Sequence, residues 1–335
     1  MRYISANAFF THDYTVSTPS VFWSIILYIT CLSQLCLATS YSYNPKQRLV
    51  GKVSFIYLQQ QYAQIDHLAR SYDVGFDALL AANPILLSSH TSKFGTIAYI
   101  PSQALVPHIQ PNQVVVNIPE KRMYFYHEAS HKLYVWPVGI GREFHPTPEG
   151  VFEILKKRYK PIWYIPENAL AELADKGILD HPNILLHNPI NPLGEYAMNL
   201  SKPSYLIHGT HDASHIGTRS TSGCVNLYPE DIAEAYRLFK VGTRVKIINN
   251  PIKTYRLGNI LYIEAHSPVI DGPVEDLLSI QKQALLNSLD NKTRSIVSKP
   301  EFLDKLTDDL QNPTGIPFSV NLYASNPSES KNPHT

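Results

Sequence analysis

Short runs of β-branched and aromatic residues, separated by Pro, Lys and His, occupy the middle of the chain. Residues 114–118, 123–125 and 133–135, with the sequences VVVNI, MYF and LYV, are three such runs. These side chains fit a pleated, half-buried surface, so the runs are typical of successive strands joined by turns. The 25 prolines and 21 tyrosines also suit strands and turns. The sequence therefore predicts a mainly β protein.

Size and charge limit the classes of function. The 335 residues, of which 44% are hydrophobic and 17% charged, can bury a core and fit two domains better than one. The 29 Lys and Arg residues nearly balance the 28 Asp and Glu residues, for a net charge of +1. Because a nucleic acid is a polyanion, this balance argues against such a partner. The sequence contains no glycine-rich phosphate loop or dinucleotide fingerprint, and we expect no cofactor.

An uncharged apolar segment lies near the N-terminus. Residues 20–40, SVFWSIILYITCLSQLCLATS, contain no Asp, Glu, Lys or Arg and end in a small-residue cleavage site at Ala38-Thr39-Ser40. These features predict a signal peptide at residues 1–40. The alternative is an uncleaved N-terminal anchor, because the run approaches the ~20 residues that span a bilayer. Either interpretation places the remaining chain in an oxidising compartment.

Cys224 is the one cysteine outside that segment, since the other two are Cys31 and Cys36. An odd cysteine in an exported protein is a candidate reactive thiol, although a lone cysteine can also be a small buried hydrophobe. The preceding run TRSTSG is typical of a tight, exposed loop. An apolar run ends upstream at His208, and a strand, a loop and a return could bring this imidazole to the thiol. A neutral imidazole can take the thiol proton and so produce the nucleophilic thiolate.

The stretch IHGTHDASHIGTRSTSGCVNL, residues 207–227, resembles the signature of the L,D-transpeptidases of bacterial cell walls. That signature is a His-Gly followed, after a mid-teens gap, by Ser/Thr-His-Gly-Cys, a hydrophobic residue and Asn or Arg. The resemblance implies that Cys224 is the nucleophile, that His208 is the general base and that the carbonyl of Gly209 orients the histidine.

Other positions of the stretch also match the signature, among them Thr221, Gly223 and Asn226. Ser222 departs from it, because most members have a histidine there that is associated with substrate positioning and the oxyanion site. The backbone N–H groups of Gly223 and of the adjacent cysteine are the expected oxyanion donors, since glycine permits close approach. Arg219 is a candidate partner for a substrate carboxylate.

Residues 112–264 resemble the catalytic domain of the same family beyond the motif. VVVNIPEKRMYFYH resembles its opening hairpin, YVWPVGIGREFHPTPEGVFEI a strand, turn and strand, and NPINPLGEYAMNL the strand that leads to the active site. The resemblance implies a β-sandwich-like catalytic domain. After the cysteine, the spacing of Ile232, Tyr236 and Phe239 predicts a helix with one apolar face that ends at Gly242.

Residues 50–103 are predicted to form a small β-α-α-β unit. Its two helical stripes consist of Ile65, Leu68, Ala69 and Tyr72, and of Phe76, Leu79 and Leu80. LARSYDV, LLAANP and GTIAYIP resemble the LysM module, a binder of peptidoglycan glycan. The alternative is a packed lid or spacer without sugar affinity, because any small core requires such stripes. We further expect a Pro-rich linker at 104–111 and a C-terminal extension at 265–335, partly helical with a disordered end.

The resemblance implies acyl transfer on the stem peptides of peptidoglycan in the periplasm, with the glycan as a further binding partner. The cysteine thiolate attacks the L-centre carbonyl of a tetrapeptide stem, the terminal D-alanine leaves and a thioester forms. The acceptor is an amine of another stem, giving a 3→3 cross-link, or a lysine of an outer-membrane protein. Water as the acceptor would make the protein a carboxypeptidase. The sequence leaves these acceptors open.

Two other classes of function stay open. His208, His211, His215 and Cys224 have residue types and spacing that could supply a zinc site, which the metal content of the protein would test, whereas the L,D-transpeptidase interpretation needs no metal. A non-enzymatic wall-binding protein would depend on the LysM-like unit, with Ser222 as a sign of a decayed site. Acylation of the cysteine by a carbapenem would argue against that class.

Overall fold

The computed structural model describes residues 39–58, 64–86, 95–165, 170, 175, 177, 184–186, 188, 190–274 and 276–323. The predicted signal peptide or anchor lies outside these residues up to position 38, and so do Cys31 and Cys36. The predicted disordered end, residues 324–335, also lies outside them. In the described part of the chain, no helix has both the length and the apolar character needed to span a membrane.

Most of the regular structure is β. The strands are β1 (Thr39–Ser42), β2 (Leu49–Val50), β3 (Ser54–Tyr57), β4 (Ile97–Ile100), β5 (Ala104–Leu105), β6 (Val114–Asn117), β7 (Arg122–His127), β8 (Lys132–Pro137), β9 (Ile140–Gly141), β10 (Gly150–Tyr159), β11 (Trp163–Tyr164), β12 (Ile184–Leu185), β13 (Tyr196–Leu200), β14 (Leu206–His208), β15 (Arg219–Thr221), β16 (Val225–Asn226), β17 (Arg244–Ile248), β18 (Ile252–Leu257), β19 (Ile260–Ala265) and β20 (Phe318–Asn321). The α-helices are α1 (Ile65–Ser71), α2 (Phe76–Ala82), α3 (Pro229–Leu238), α4 (Leu277–Asn287), α5 (Asn291–Val297), α6 (Pro300–Lys305) and α7 (Thr307–Gln311). The mainly β prediction is confirmed.

Nine strands form one mixed sheet in the spatial order β1-β8-β7-β6-β17-β10-β13-β14-β16. The pairs β6–β17 and β14–β16 are parallel, and the other neighbours are antiparallel. The two halves of this sheet meet at β10, which pairs with β17 through residues 150–153 and with β13 through residues 154–159, and side chains of both halves pack in one core. The parallel contact between β6 and β17 joins strands that are far apart in the sequence, and a local pattern of apolar residues does not encode such pairing.

Both faces of the sheet are covered. Val114 and Val116 contribute to a core that also contains Trp136 and Phe239, whereas Val115 points to the opposite face and packs in a second core with Tyr124. Successive side chains of a strand alternate between faces, so a strand buried on both sides is a continuous apolar run. This explains the uninterrupted valines of β6.

Helix α3 covers the first of these faces. Pro229 occupies its first turn, where the missing N–H costs nothing, and Ile232 and Ala235 are buried in the main core. The helix ends at Leu238, earlier than predicted, because Phe239 adopts an extended conformation and is itself fully buried in that core. The predicted helix and its apolar face are confirmed.

The predicted β-α-α-β unit is present. Strands β3 and β4 pair antiparallel, and helices α1 and α2 pack with them around a small core. Within that core Ile65, Ala69 and Leu79 are buried, but Tyr72 is 40% exposed, so the prediction that it joins the helical stripe was wrong. Tyr72 directly follows the last residue of α1, where the chain leaves helical geometry.

The C-terminal region has a core of its own. Strands β18, β19 and β20 form a three-stranded antiparallel sheet, and Ile252 and Ile263 pack with Leu285 and Leu310 from the helices that follow. The helical character of this region is confirmed, but strand β20 was not predicted. The predicted domain boundary at 264 falls inside this core, since β19 continues to Ala265.

A cluster of buried charges lies between this C-terminal sheet and the nine-stranded sheet. The ammonium of Lys253 lies 2.8 Å from Glu120 and 3.0 Å from Glu264, and Arg122 also lies 3.0 Å from Glu264. Burial acts to raise the pKa of Glu264, but Lys253, His266 and Arg122 outweigh it and hold that pKa at about 2. The cluster pairs charges contributed by strands of both regions.

Candidate active site

The two strands that hold His208 and Cys224 are neighbours. β14 and β16 run parallel, with Ile207 opposite Val225 and His208 opposite Asn226. Cys224 directly precedes β16. Because side chains two residues apart on a strand share a face, Cys224 and Asn226 point to the same side as His208. The predicted strand, loop and return thus brings the thiol and the imidazole to one face.

That face opens into a cavity of about 1080 Å³. His208 and Cys224 both line it. Its walls include the aromatic residues Phe144, Trp163, Tyr164 and Tyr205. A concave site with apolar walls and a few convergent polar groups is the usual form of a small-molecule or peptide site.

The imidazole of His208 is fixed by its neighbour. Its Nδ1 donates a hydrogen bond of 2.6 Å to the carbonyl of Gly209, and the ring is buried. Burial lowers the pKa of His208 to about 4, and the charge of Arg158 acts in the same direction. The ring is therefore neutral near pH 7, with the proton on Nδ1 and Nε2 left as the basic nitrogen.

The thiol of Cys224 is half-buried and also neutral. Its Sγ donates to the carbonyl of Ser204 at 3.7 Å. Burial raises the pKa of Cys224 to about 11, and the backbone of Leu206 offsets only part of that rise. The resting site accordingly contains a neutral thiol and a neutral imidazole instead of a thiolate–imidazolium pair.

Thr221 holds the loop that presents the thiol. Its Oγ1 donates to the carbonyl of Cys224 at 2.6 Å and accepts the N–H of Gly223 at 3.1 Å. These two bonds fix both residues that were predicted to supply oxyanion donors. The N–H of Gly223 is thereby engaged within the loop, which corrects the expectation that it faces a substrate. The N–H of Cys224 is the remaining member of that predicted pair.

Gly223 occupies a position that only glycine fits. Its φ is +102°, and a Cβ there would lie 2.7 Å from Cε1 of Tyr205 and 3.1 Å from the carbonyl oxygen of Pro146. The chain can therefore pass close to the Tyr205 ring only without a side chain at this position. Glycine is required here for close packing and backbone geometry.

Ser222 and Asn226 complete the predicted set at the cavity. Both line it, and Ser222 is exposed there. Asn226 is buried, and its Oδ1 accepts no hydrogen bond from the described residues. A buried carbonyl oxygen without a donor is costly unless a ligand or water supplies one, so Asn226 is suited to accept a hydrogen bond from a bound molecule.

Comparison with known proteins identifies the family. A model of the L,D-transpeptidase catalytic domain matches residues 111–247. The Escherichia coli K12 protein described as probable L,D-transpeptidase YcfS is 34% identical over 248 residues, which cover 72% of this chain and 77% of that protein. The chain belongs to the L,D-transpeptidase family. It is an enzyme with an L,D-transpeptidase catalytic domain.

Other L,D-transpeptidases are similar over comparable lengths. Probable L,D-transpeptidase ErfK/SrfK of Salmonella typhimurium is 32% identical and covers 72% of this chain and 79% of that protein. Probable L,D-transpeptidase YbiS of Escherichia coli K12 is 29% identical and covers 82% of this chain and 89% of that protein. The solved structure of an L,D-transpeptidase from Mycobacterium smegmatis aligns with 41% of this chain and 58% of that one, with 19% identity and a TM-score of 0.32.

Arg219 of this L,D-transpeptidase lies elsewhere than predicted. Its Nη2 pairs with Asp271 at 2.5 Å and its Nε donates to the carbonyl of Gly141 at 3.2 Å. It lines a second, smaller cavity and is not among the residues that line the one with Cys224. The prediction that Arg219 meets a substrate carboxylate is therefore corrected. Its strand, β15, pairs with β9, and that pairing places its guanidinium beside Asp271.

Two polar residues of the cavity were missed by sequence reasoning. Arg158 on β10 and Asn199 on β13 both line it, and the pairing of these strands places them there. Nε of Arg158 and Oδ1 of Asn199 are buried and have no hydrogen-bond partner among the described residues. Asn199 lies within a segment that resembled the family, but Arg158 belongs to the run KKR, which looks like an ordinary solvated strand edge.

The four residues of the alternative zinc site do not come together as a metal site. Although His208, His211, His215 and Cys224 all line the cavity, they are not brought within ligand distance of one another. Among the described residues, the His, Cys, Asp and Glu group whose ligand atoms lie within 4.8 Å of one another is Glu120, Glu264 and His266 in the buried charge cluster. Nδ1 of His215 instead pairs with Asp212 at 3.0 Å. The alternative interpretation as a zinc site is therefore not supported by these four residues.

Proposed function

We propose that this L,D-transpeptidase acts on the tetrapeptide stems of peptidoglycan through a thioester on Cys224, with His208 as the base. The observation that supports this assignment is the shared cavity. The thiol and an imidazole fixed by its Nδ1 bond to Gly209 lie on one face of the paired strands β14 and β16. A nucleophile and an oriented base in a cleft are the arrangement that acyl transfer needs.

The reaction proceeds in two steps, acylation of Cys224 and transfer of the acyl group to an acceptor amine. As Sγ of Cys224 attacks the L-centre carbonyl of the stem, Nε2 of His208 takes the thiol proton. The C–N bond to the terminal D-alanine then breaks, His208 returns the proton to the departing amine, and the acyl group stays on sulfur as a thioester. In the second step an acceptor amine loses its proton to His208 and attacks the thioester, which restores the thiol.

The way in which the thiol is activated follows from the neutral state of both Cys224 and His208. With the pKa of Cys224 raised by burial and that of His208 lowered by burial, transfer of the proton before attack is unfavourable. Proton transfer therefore accompanies the attack on a bound carbonyl, and His208 acts as a general base in the transition state. The N–H of Cys224 is the backbone donor we assign to the developing oxyanion, with the hydroxyl of Ser222 as a second candidate.

Arg158 is our candidate for substrate recognition in place of Arg219. A stem peptide carries carboxylates, and a guanidinium is a strong donor to a carboxylate. Nε of Arg158 is buried at the cavity and has no hydrogen-bond partner in the described part of the chain, while its Nη1 donates to the carbonyl of Ile162 at 3.1 Å. Oδ1 of Asn199 and Oδ1 of Asn226, which accept no hydrogen bond from the described residues, provide acceptors for amide N–H groups of the same peptide.

The N-terminal unit has a surface suited to bind the glycan. One face of its β3–β4 pair is exposed and aromatic: Phe55 lies opposite Tyr99, and Tyr57 projects to the same side. These side chains are 69%, 48% and 57% exposed, respectively. Exposed aromatic rings grouped on a sheet face mark a binding surface. We therefore propose that this LysM-like unit, residues 50–103, binds peptidoglycan glycan and brings the catalytic domain to the wall.

The place of action follows from the same proposal. Residues 1–40 would direct export to the periplasm, either as a signal peptide or as a membrane anchor. There the acceptor would be an amine of a second stem, which gives a 3→3 cross-link, or a lysine of an outer-membrane protein.

The decisive experiment is mass spectrometry of muropeptides and of wall-bound proteins from cells with wild-type protein, with the Cys224→Ala variant and with neither. Loss of 3→3 dimers, or of stem-linked protein, in the latter two strains identifies the acceptor. Loss of tripeptide stems alone would identify a carboxypeptidase. Unchanged stems, cross-links and attached proteins, together with a carbapenem adduct on Cys224→Ala, would contradict the assignment and favour a wall-binding protein.

A further inference from the structure

A partly buried acidic pair lies at the start of the nine-stranded sheet, away from the cavity. The backbone N–H of Thr39 donates to Oδ2 of Asp73 at 2.7 Å, and its Oγ1 donates to the same oxygen at 3.0 Å. Asp231, in the first turn of α3, interacts with Asp73. Thr39 is also the first residue of β1, where it pairs with Val135. Thr39 therefore belongs to the sheet and also contacts the acidic pair.

None of the ion pairs among the described residues includes Asp73 or Asp231. Asp231 is 1% exposed, and neither of its carboxylate oxygens accepts a hydrogen bond from the described residues. Its charged neighbours are Glu230, Glu234 and Arg70, and the Arg70 guanidinium lies 2.9 Å from the carboxylate of Glu230. Burial, together with these like charges, raises the pKa of both Asp73 and Asp231. A buried carboxyl pair of this kind either holds a proton or is stabilised by a positive charge in contact with it.

The sequence offers such a charge at one backbone nitrogen. Cys36 and Ala38 are small residues three and one positions before the bond between Ala38 and Thr39, the spacing that a signal-peptide cleavage site requires. Hydrolysis of that bond releases the preceding segment with a carboxylate and leaves an α-amino group on Thr39. The single amide donor at Thr39 would become an ammonium with three donors, at the atom that already lies 2.7 Å from Asp73.

We propose that cleavage after Ala38 makes Thr39 the first residue of the mature protein, and that its α-ammonium group forms an ion pair with Asp73 and Asp231. The new N-terminus then places a cation in direct contact with Asp73. It also fastens strand β1 to helix α3 through Asp231. Cleavage at this bond is thereby linked to the stability of the folded protein.

The first test determines the N-terminus. The full chain is produced in a Gram-negative host, recovered from the periplasm, and measured by intact mass and N-terminal sequencing. We expect a chain that begins at Thr39. A mature chain that begins at another residue, or an uncleaved chain, would overturn the proposal.

The second test displaces the charge while keeping the processing. An insertion of Ala-Ala between Ala38 and Thr39, with cleavage after Ala38, moves the ammonium by up to about 7 Å along the chain. We expect the unfolding equilibrium constant of the chain that begins at Thr39 to be about tenfold or more below that of the inserted form at pH 7. That factor corresponds to a rise of one unit in the α-amino pKa above its ordinary value of about 8.

The pH dependence separates an ion pair from a packing effect. A raised α-amino pKa stabilises the folded state below pH about 8, and this contribution is lost as the pH rises through the folded-state pKa. The groups around this nitrogen are Asp73 and Asp231, with Glu230, Arg70 and Glu234 beyond them. Tyr41 and Arg122 line the same small cavity as Thr39 and Asp73. The stability difference between the two forms should therefore close in alkaline buffer.

Matched variants complete the test. In Asp73→Asn the difference in stability between the chain that begins at Thr39 and the inserted form should disappear. Asparagine is chosen because it tolerates the left-handed backbone conformation of this residue, whose φ is 52°. Asp66→Asn, on the neighbouring helix α1, is the control and should leave the difference intact. Equal stability of the two forms in the wild-type background, or a difference that persists in Asp73→Asn, would overturn the ion pair.

Discussion

Nδ1 of His208 donates its hydrogen bond to the carbonyl of Gly209, the next residue in the chain, at 2.6 Å. The bond fixes the tautomer, because a proton on Nδ1 leaves Nε2 unprotonated. A Cβ on Gly209 would lie 3.0 Å from Cγ2 of Ile232, so glycine lets this segment pack tightly on helix α3. The His-Gly pair of the sequence is thus a structural unit that aims one base nitrogen.

Replacement of His208 by Gln should remove most acylation of Cys224 while leaving the fold intact. Proton transfer by a positioned side chain contributes typically ~10²–10⁴-fold, and glutamine cannot supply it. His211→Ala and His215→Ala are the controls, since both line the cavity without the Gly209 bond. Intact mass after timed exposure to a carbapenem measures the rate. Comparable losses in all three variants, with stoichiometric zinc in the protein, would favour a metal site instead.

Alkylation of Cys224 by iodoacetamide should rise with pH far beyond the range of an ordinary thiol. Burial raises the pKa of Cys224 to about 11, and the thiolate is the reactive form. The rate should therefore increase about tenfold per pH unit through pH 9, without a plateau near the ordinary value of about 8.5. The unfolded protein is the control. A plateau at or below pH 8 in the folded protein would indicate a preformed thiolate and contradict the neutral pair.

Substitution of Ser222 tests the position that departs from the family signature. A serine hydroxyl can donate one hydrogen bond but carries no charge near neutral pH, so Ser222→Ala should lower the acylation rate by about tenfold, or ~1.4 kcal/mol. Ser222→His should be tolerated, because the side chain is exposed at the cavity. The measurement is the acylation rate of the three forms. A Ser222→Ala variant as inactive as Cys224→Ala would show a direct catalytic role for the serine.

Arg158→Gln should weaken substrate use, whereas Arg219→Gln should not. A hydrogen bond to a charged group contributes about 1.5–3 kcal/mol, which predicts a loss of about 10–100-fold in kcat/KM for a stem peptide with free carboxylates. Arg219 pairs with Asp271 away from the cavity, and its loss should change kcat/KM by about twofold or less. A stem peptide amide is the matched substrate, on which the Arg158 effect should shrink. The reverse ranking of the two variants would restore the assignment made from the sequence.

Removal of the exposed aromatic face should reduce binding to the cell wall but not acylation. Phe55→Ala together with Tyr99→Ala deletes one facing pair of β3 and β4. Sugar rings pack on exposed aromatic side chains, so co-sedimentation of the protein with insoluble peptidoglycan should fall. The carbapenem acylation rate should stay unchanged. Ile85 is exposed elsewhere on the same unit, and Ile85→Ala is the control. If the double variant and the control sediment equally, the unit does not bind glycan through this face and is better described as a spacer.

Local patterns in the sequence determined the strands and the central motif. The run of β-branched residues at 114–118 requires no information from elsewhere in the chain, and it predicted β6. The same holds for the His208–Gly209 pair and for the glycine before Cys224. In each case a few adjacent residues define the geometry: a neighbouring carbonyl orients the imidazole, and a positive φ requires glycine.

Only the tertiary structure decided which polar groups reach the cavity. Arg158 enters it because β10 pairs with β13, while Arg219, close to the cysteine in sequence, is drawn to Asp271 by the pairing of β15 with β9. The same holds for the single nine-stranded sheet and for the ammonium of Lys253 between Glu120 and Glu264. Strand register and buried charge pairs join residues that are far apart in the chain, and their energies depend on packing and dielectric environment, which a local residue pattern does not contain.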